Sequence, residues 1–208
     1  STLSSSSAAS DVYKRQKKPS IVFIPGAGMD HRIVSMFEID PLLESHNILA
    51  IDLPGHGEGA LVKGDLETWD EVDRAVEDGF EKISKYEKKV VFGHSVGGQV
   101  ALHSIITELI NPDFLILSAP TLGDNYPKII KTLSKSLANI FPKLRIPSSV
   151  NKKNLSTDES VVNNYFSDPL VFRSVTARYG NELLKSKELV NKNIKKLTVQ
   201  TCLLYTSP

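Results

Sequence analysis

The chain has 208 residues, 40% of them hydrophobic and 24% charged, with 25 basic against 24 acidic side chains. That length supports one sizeable core and a single domain, and the near-neutral balance gives no reason to expect nucleic acid or an acidic partner. One cysteine, Cys202, excludes a disulfide framework and a cysteine-ligated zinc site, and no apolar run reaches the roughly 18 residues of a membrane span.

Residues 1–16 show no helix or strand period and are expected to be a disordered tail. Ser6 to Gln16 resembles a translated sequencing adapter, and Cys202 to Pro208 resembles the translation of its reverse complement. Both ends are therefore set aside from the fold as foreign sequence. The expected plan is a core over 17–120, an inserted helical cap over 121–178, a core continuation over 179–201 and an adapter-like end over 202–208.

Ile21-Val22-Phe23-Ile24 is a continuous apolar run ending at Pro25-Gly26, and Asn47 to Asp52 is another, closed by Leu53-Pro54-Gly55-His56-Gly57. Both read as buried parallel strands. Thr68 to Tyr86 reads as a helix, since Trp69, Val72, Val76, Phe80 and Ile83 fall on one face and Thr68 with Glu71 fits a capping box. Val90-Val91-Phe92 is the next strand, followed by a helix-like run from Val96 to Ile110 and a strand over Phe114–Leu117. Strands alternating with helices imply βαβ units, with ligands beyond the carboxyl ends of the strands.

From about Thr121 to Arg178 the rhythm breaks. The segment is lysine-rich and carries Ile129, Leu133, Leu137, Ile140 and Phe141 at helical spacing, without a strong strand signal. This suits a helical cap. Its lysines read first as a solvated face, with contact at an anionic lipid surface as the alternative. Glu182 to Lys195 is expected to be a helix and Lys196 to Leu204 a strand.

The chemistry centres on Gly93-His94-Ser95-Val96-Gly97. A G-x-S-x-G between a strand and a helix is the pattern of a nucleophile elbow, in which a sharp turn holds the serine hydroxyl out over the sheet edge. Ser95 is the candidate nucleophile; the bland alternative is a serine helix cap between glycines. Attack on a carbonyl needs an oxyanion hole. The candidate donors are the backbone N–H of Val96 and that of Ala27, in the loop Pro25-Gly26-Ala27-Gly28 after the first apolar strand.

Pro25-Gly26-Ala27-Gly28, Asp52-Leu53-Pro54-Gly55-His56-Gly57 and Gly93-His94-Ser95-Val96-Gly97-Gly98 occur in the order found in α/β-hydrolases, which the chain resembles over nearly all of residues 19–201. Leu117-Ser118-Ala119-Pro120, Asn154-Leu155-Ser156 and Ser167-Asp168-Pro169-Leu170-Val171 are similar to the monoacylglycerol lipase and lysophospholipase branch. Pro25 departs from the many members with histidine before that glycine. The resemblance implies an α/β-hydrolase fold, a mostly parallel sheet flanked by helices with an inserted helical cap. It also implies hydrolysis of carboxylic esters, with monoacylglycerol or lysophospholipid as the small-molecule lipid substrate, through an acyl-enzyme on Ser95. No metal or cofactor is implied, and the expected location is cytoplasmic.

In this fold the acid and then the histidine follow the nucleophile. The five histidines are His31, His46, His56, His94 and His103. Only His103 follows Ser95, and eight helical residues place it roughly 12 Å along the axis, too far for a base. His94 adjoins the nucleophile, His56 sits in a structural turn, and His31 precedes the serine. Asp168 sits in the cap as an Asp-Pro turn former. The last strand and helix with the acid and histidine are therefore expected to lie beyond the chain, leaving it inactive by itself. Other readings are a short-peptide peptidase, a cofactor-free haloperoxidase, and a non-catalytic binding protein on the same fold.

Overall fold

A computed structural model describes residues 11–12, 18–36, 40–86, 88–123, 127–147 and 157–205. The strands are β1 (Asp11–Val12), β2 (Ser20–Ile24), β3 (Asn47–Ala50), β4 (Lys89–His94), β5 (Phe114–Ser118), β6 (Arg145–Pro147), β7 (Ser174–Thr176) and β8 (Gln200–Leu204). The helices are α1 (Asp40–Ser45), α2 (Trp69–Lys82), α3 (Val96–Ile106), α4 (Lys128–Ile140), α5 (Glu159–Ser167) and α6 (Ala177–Asn193), with 3-10 turns at His31–Met36 and Ile194–Lys196.

Six strands form one sheet in the order β1-β3-β2-β4-β5-β8, parallel throughout except for β1. The expected mostly parallel sheet is present. Period-2 alternation in its buried strands feeds two cores. Val22, Ile24, Leu49, Val91, Leu115 and Leu117 pack with α2, α3 and α6, whereas Ile21, Phe23, Ile48, Ala50 and Phe92 pack with Ile33 and Val34. The Phe23 and Phe92 rings stack across neighbouring strands at 4.1 Å.

Helix α2 buries Trp69, Val72 and Val76, with Ile83 just beyond its end, as the spacing predicts. The Glu71 carboxylate accepts the N–H groups of Glu67 and Thr68 at the exposed start. Helix α3 is buried at every position, so its few polar side chains must find partners inside. They do: Gln99 Nε2 donates to the Leu183 carbonyl at 2.9 Å, and Ser104 Oγ donates to Val100 at 3.1 Å.

Four expectations need correction. The run from Val96 stops as a helix at Ile106, not Ile110, because Glu108 adopts φ 61° and Leu109 N–H turns back to the Ser104 carbonyl. The cap is not purely helical: β6 and β7 pair antiparallel, with Ile146 opposite Val175. Helix α6 begins at Ala177 rather than Glu182, because Thr176 caps it by accepting the Tyr179 N–H. The final strand starts at Gln200, since Ile194–Lys196 is taken up by a 3-10 turn.

Where they are described, both ends pair with the sheet. Asp11–Val12 lies antiparallel against Leu49 and Ala50. Cys202, Leu203 and Leu204 continue β8 in register with Ile116, Leu117 and Ser118 of β5. A parallel strand is held by backbone bonds, which any non-proline residue supplies. Residues 1–10, 13–17 and 206–208 lie outside the described residues.

Leu115 of β5 is fully buried between α-helices and sheet neighbours. Leu115→Ala should lower unfolding free energy by about 2–5 kcal/mol, measured by urea titration, because it removes buried methyl groups and leaves a cavity.

Candidate active site

Strand β4 ends at His94 and α3 starts at Val96, so Ser95 alone makes the reversal. Its backbone sits at φ 52°, ψ −117°, a conformation costing about 1–3 kcal/mol for a residue with a side chain. Neighbours over-determine it. Ser95 N–H donates to the Ser118 carbonyl at 2.9 Å, and the Ser95 carbonyl accepts the N–H groups of Gly98 and Thr121 at 3.0 Å each. A Cβ on Gly97 would come within 2.5 Å of the Pro25 carbonyl oxygen, and one on Gly93 within 2.6 Å of the Gly97 carbonyl oxygen. The elbow expected from G-x-S-x-G is thus realised, and its glycines are contact requirements. Ser95 Oγ is half-buried, 3.4 Å from Thr121 Oγ1.

The Pro25–Gly28 loop lies against this turn. A Cβ on Gly26 would be 3.2 Å from Ser95 Cβ, and one on Gly28, which sits at φ 78°, would be 3.0 Å from the Phe172 carbonyl oxygen. The loop is therefore wedged between the elbow and the cap. Met29 N–H closes it by donating to the Gly26 carbonyl at 3.1 Å. Among the described residues, neither the Ala27 nor the Val96 N–H donates a hydrogen bond. Two uncommitted backbone donors thus belong to the residues expected to stabilise an oxyanion.

Beyond the loop, Asp30 anchors the turn over His31–Met36. Its carboxylate accepts the Arg32 N–H at 2.9 Å, Nε at 2.7 Å and an Nη at 2.6 Å. Burial pushes the Asp30 carboxyl up, and the Arg32 hydrogen bonds outweigh that, holding it below its ordinary range. Arg32 also donates to Asp168 Oδ2 at 2.9 Å. Asp168 Oδ1 accepts the Leu170 N–H at 2.8 Å, so the expected turn former also ties the cap to this loop. A cavity of about 370 Å³ lies beside this tie, between Met29 and Ile33 on the core side and Val161, Tyr165 and Val171 on the cap side. A second tie joins Asp65 to α6: Arg178 Nε and Thr176 Oγ1 both donate to Asp65 Oδ1, at 2.8 and 2.7 Å. The Arg178 hydrogen bonds hold the Asp65 carboxyl down to about 2.

All five histidine rings have partners other than Ser95. His31 Nδ1 is 3.1 Å from Asp52 Oδ1, whose carboxylate also accepts the His31 N–H at 2.6 Å. His46 Nδ1 pairs with Ser45 Oγ at 2.8 Å. His56 Nδ1 donates to the Pro54 carbonyl at 2.9 Å, and its ring packs edge-on against Phe172 at 4.8 Å. His94 Nδ1 is 3.2 Å from Ser118 Oγ. His103 Nδ1 is 3.0 Å from Ser186 Oγ, its Nε2 is 4.0 Å from Asp73, and its ring lies against Trp69. His103 therefore links α2, α3 and α6 and takes no part at the elbow. Asp30, His31 and Asp52 bring ligand atoms within 4.8 Å of one another. Arg32 and the His31 backbone already engage both carboxylates, so the cluster reads as a loop clasp.

Neither Thr121 nor Arg32 stands out in the sequence as a site residue, and Ser118 does so only within the Leu117-Ser118-Ala119-Pro120 motif. Serine and threonine after a strand carry no spacing signal, and the Arg32–Asp168 pair spans 136 positions. The Asn154-Leu155-Ser156 motif lies outside the described residues.

The family model Hydrolase_4, serine aminopeptidase S33, matches residues 15–207. The chain is 31% identical over 174 residues to phospholipase YtpA of Bacillus subtilis (strain 168), covering 81% of this chain and 66% of that protein. It is 26% identical to the uncharacterized hydrolase YugF of the same organism, covering 68% of this chain and 57% of that one. The chain thus spans about two thirds or less of the length of these relatives. Among solved structures, a Paleococcus ferrophilus monoacylglycerol lipase superposes with TM-score 0.80 at 24% identity, covering 94% of this chain and 76% of that one. A soluble variant of monoglyceride lipase from Saccharomyces cerevisiae superposes with TM-score 0.73 at 19% identity, covering 91% and 68%.

Two outcomes follow from this geometry. Gly97→Ala should destabilise the protein by about 3 kcal/mol, read by denaturant titration, because the new methyl meets two backbone carbonyls that have nowhere to go. Burial lowers His56 and His103 to about 4 each. Between that value and an unfolded value near 6.5, the unfolded chain holds more protons than the native one. Stability should therefore be full above pH 6.5 and fall as pH drops toward 4, with a smaller loss in His103→Phe. Thermal melts across that range read both effects. The matched model and the fold agree: this chain belongs to the Hydrolase_4 (serine aminopeptidase, S33) family of α/β-hydrolases.

Proposed function

We propose that the whole protein is a serine hydrolase of carboxylic esters, acting on monoacylglycerol or lysophospholipid through an acyl-enzyme on Ser95. The observation that carries this reading is the strained Ser95 turn beside two uncommitted N–H donors, Ala27 and Val96. The Ser95 oxygen attacks the ester carbonyl, the carbonyl oxygen gains negative charge, and the two N–H groups donate to it. Collapse expels the alcohol and leaves the acyl group on Ser95; water then releases the fatty acid. The relative named as a phospholipase supports an ester of a lipid, and the lipase folds fit a capped sheet of this kind.

Each turnover needs a base to take the Ser95 proton and return it to the leaving group. Among the described residues, Ser95 Oγ pairs with the Thr121 hydroxyl and with none of the five histidine rings. Residues 1–208 alone should therefore hydrolyse nitrophenyl esters several orders of magnitude more slowly than the whole protein. A second reading, cleavage of short peptides, draws on the serine aminopeptidase description of the family.

The test is steady-state kinetics of the whole protein with monoacylglycerol, lysophosphatidylcholine and an aminoacyl anilide. The expected result is a higher kcat/KM for a lipid ester, lost by at least about 10³-fold in Ser95→Ala. Preference for the anilide would favour the peptidase reading. Lipid-ester hydrolysis surviving in Ser95→Ala would overturn the mechanism.

A further inference from the structure

Among the described residues, three non-glycine residues have positive φ, and two of them meet at the elbow: Ser95 at φ 52° and Ala119 at φ 42°. A left-handed backbone is disfavoured for a residue with a side chain, so it persists where its surroundings hold it, and such residues gather at functional sites. The Ser95 turn aims the nucleophile. The Ala119 turn presents Thr121. Strand β5 ends at Ser118, and Ala119 still donates its N–H to the Leu204 carbonyl of β8 at 2.9 Å. Pro120 then seats on the first turn of α3, where a Cβ on Gly98 would come within 2.8 Å of Pro120 Cβ. Leu122 N–H donates to the Pro120 carbonyl at 2.8 Å, closing a three-residue turn with Thr121 at its apex. Thr121 N–H in turn donates to the Ser95 carbonyl at 3.0 Å. The Thr121 hydroxyl is thus placed by backbone contacts on both sides. Its Oγ1 lies 3.4 Å from Ser95 Oγ and has no other hydrogen-bond partner among the described residues.

Chemistry sets the direction of this contact. A threonine hydroxyl has one proton to give. The Ser95 proton is the one that must leave for the base, so Thr121 is the donor and Ser95 Oγ the acceptor. The worth of that bond changes along the reaction. Before acylation the Ser95 hydroxyl already accepts it, so attack on the substrate gains little. In the acyl-enzyme, Oγ is an ester oxygen and a poor acceptor. Breakdown begins when water adds to the acyl carbonyl and gives a proton to the base. The carbon–Oγ bond then breaks, its electron pair goes to Oγ, and the base returns the proton there. A hydrogen bond to an oxygen gaining negative charge is roughly twice as strong as one to a neutral oxygen. Bonds that are long in the free enzyme tighten at that stage.

We propose that Thr121 is a catalytic residue for release of the acyl group: its hydroxyl donates to Ser95 Oγ as that oxygen departs, and its own proton stays on Thr121 throughout. This role rests on the acyl-enzyme reading of Ser95.

The experiment is stopped-flow hydrolysis of nitrophenyl butyrate by the whole protein, where the burst of nitrophenolate reads acylation and the steady phase reads deacylation. Thr121→Val keeps the branched shape and the N–H to Ser95 but removes the hydroxyl. It should slow deacylation by about tenfold to a hundredfold, the worth of a hydrogen bond to a charged group. The burst rate should stay within about threefold, with an amplitude near one equivalent per Ser95. Thr121→Ala, which removes the hydroxyl with less bulk, should do the same, and Thr121→Ser should restore the steady phase. Equal slowing of both phases would overturn the proposal, because it marks a disturbed elbow rather than a lost donor. An unchanged steady phase in Thr121→Val and Thr121→Ala would overturn it alone, leaving the hydrolytic reading in place. Absence of Ser95 acylation in the unsubstituted whole protein would overturn both.

Discussion

The constraint on which the rest of this structure depends is the approach of Gly97 to the end of β2. The first turn of α3 sits so close to the Ile24 and Pro25 carbonyls that no Cβ fits between them. This contact does three things at once. It lets the chain reverse at Ser95 within a single residue. It brings the Pro25–Gly28 loop against that residue. It also seats α3 deep enough for every one of its side chains to be buried. The strain at Ser95 is maintained because these backbone contacts and the Ser118 and Thr121 bonds leave it no alternative.

Outside that contact, the cap is held to the core by charge. Arg32 bridges Asp30 in the core and Asp168 in the cap, and Arg178 joins Asp65 and Glu67. Aromatic packing adds to these ties, with Phe172 of the cap set against His56 and Tyr179. The same cap leaves the outer face of α4 uncovered.

Much of the fold was legible because its signals are local. Four short apolar runs gave the buried parallel strands, and the Trp69–Ile83 spacing gave α2. The elbow was readable because the chemistry needs small residues at fixed offsets around Ser95. Boundaries were less legible where a single residue decided them. Glu108 ended α3 early by turning left-handed, and Thr176 started α6 early by capping it. Neither residue has a composition that announces the role. The β6–β7 ribbon was missed because three-residue strands carry too few alternations to show a period.

The sequence by itself determined the alternation of the buried strands with α2 and α3 and the position of the elbow at Ser95, because these rest on spacing between neighbours in the chain. Only the tertiary structure decided which groups converge on them. The Thr121 hydroxyl near Ser95, the cap tie from Arg32 to Asp168, and the engagement of His103 with Ser186 rather than with Ser95 all join residues far apart in sequence. The exposure of Ile129 and Leu133 is of the same kind. An amphipathic helix declares that it has an apolar face, but whether that face meets a core or the solvent depends on what packs beside it.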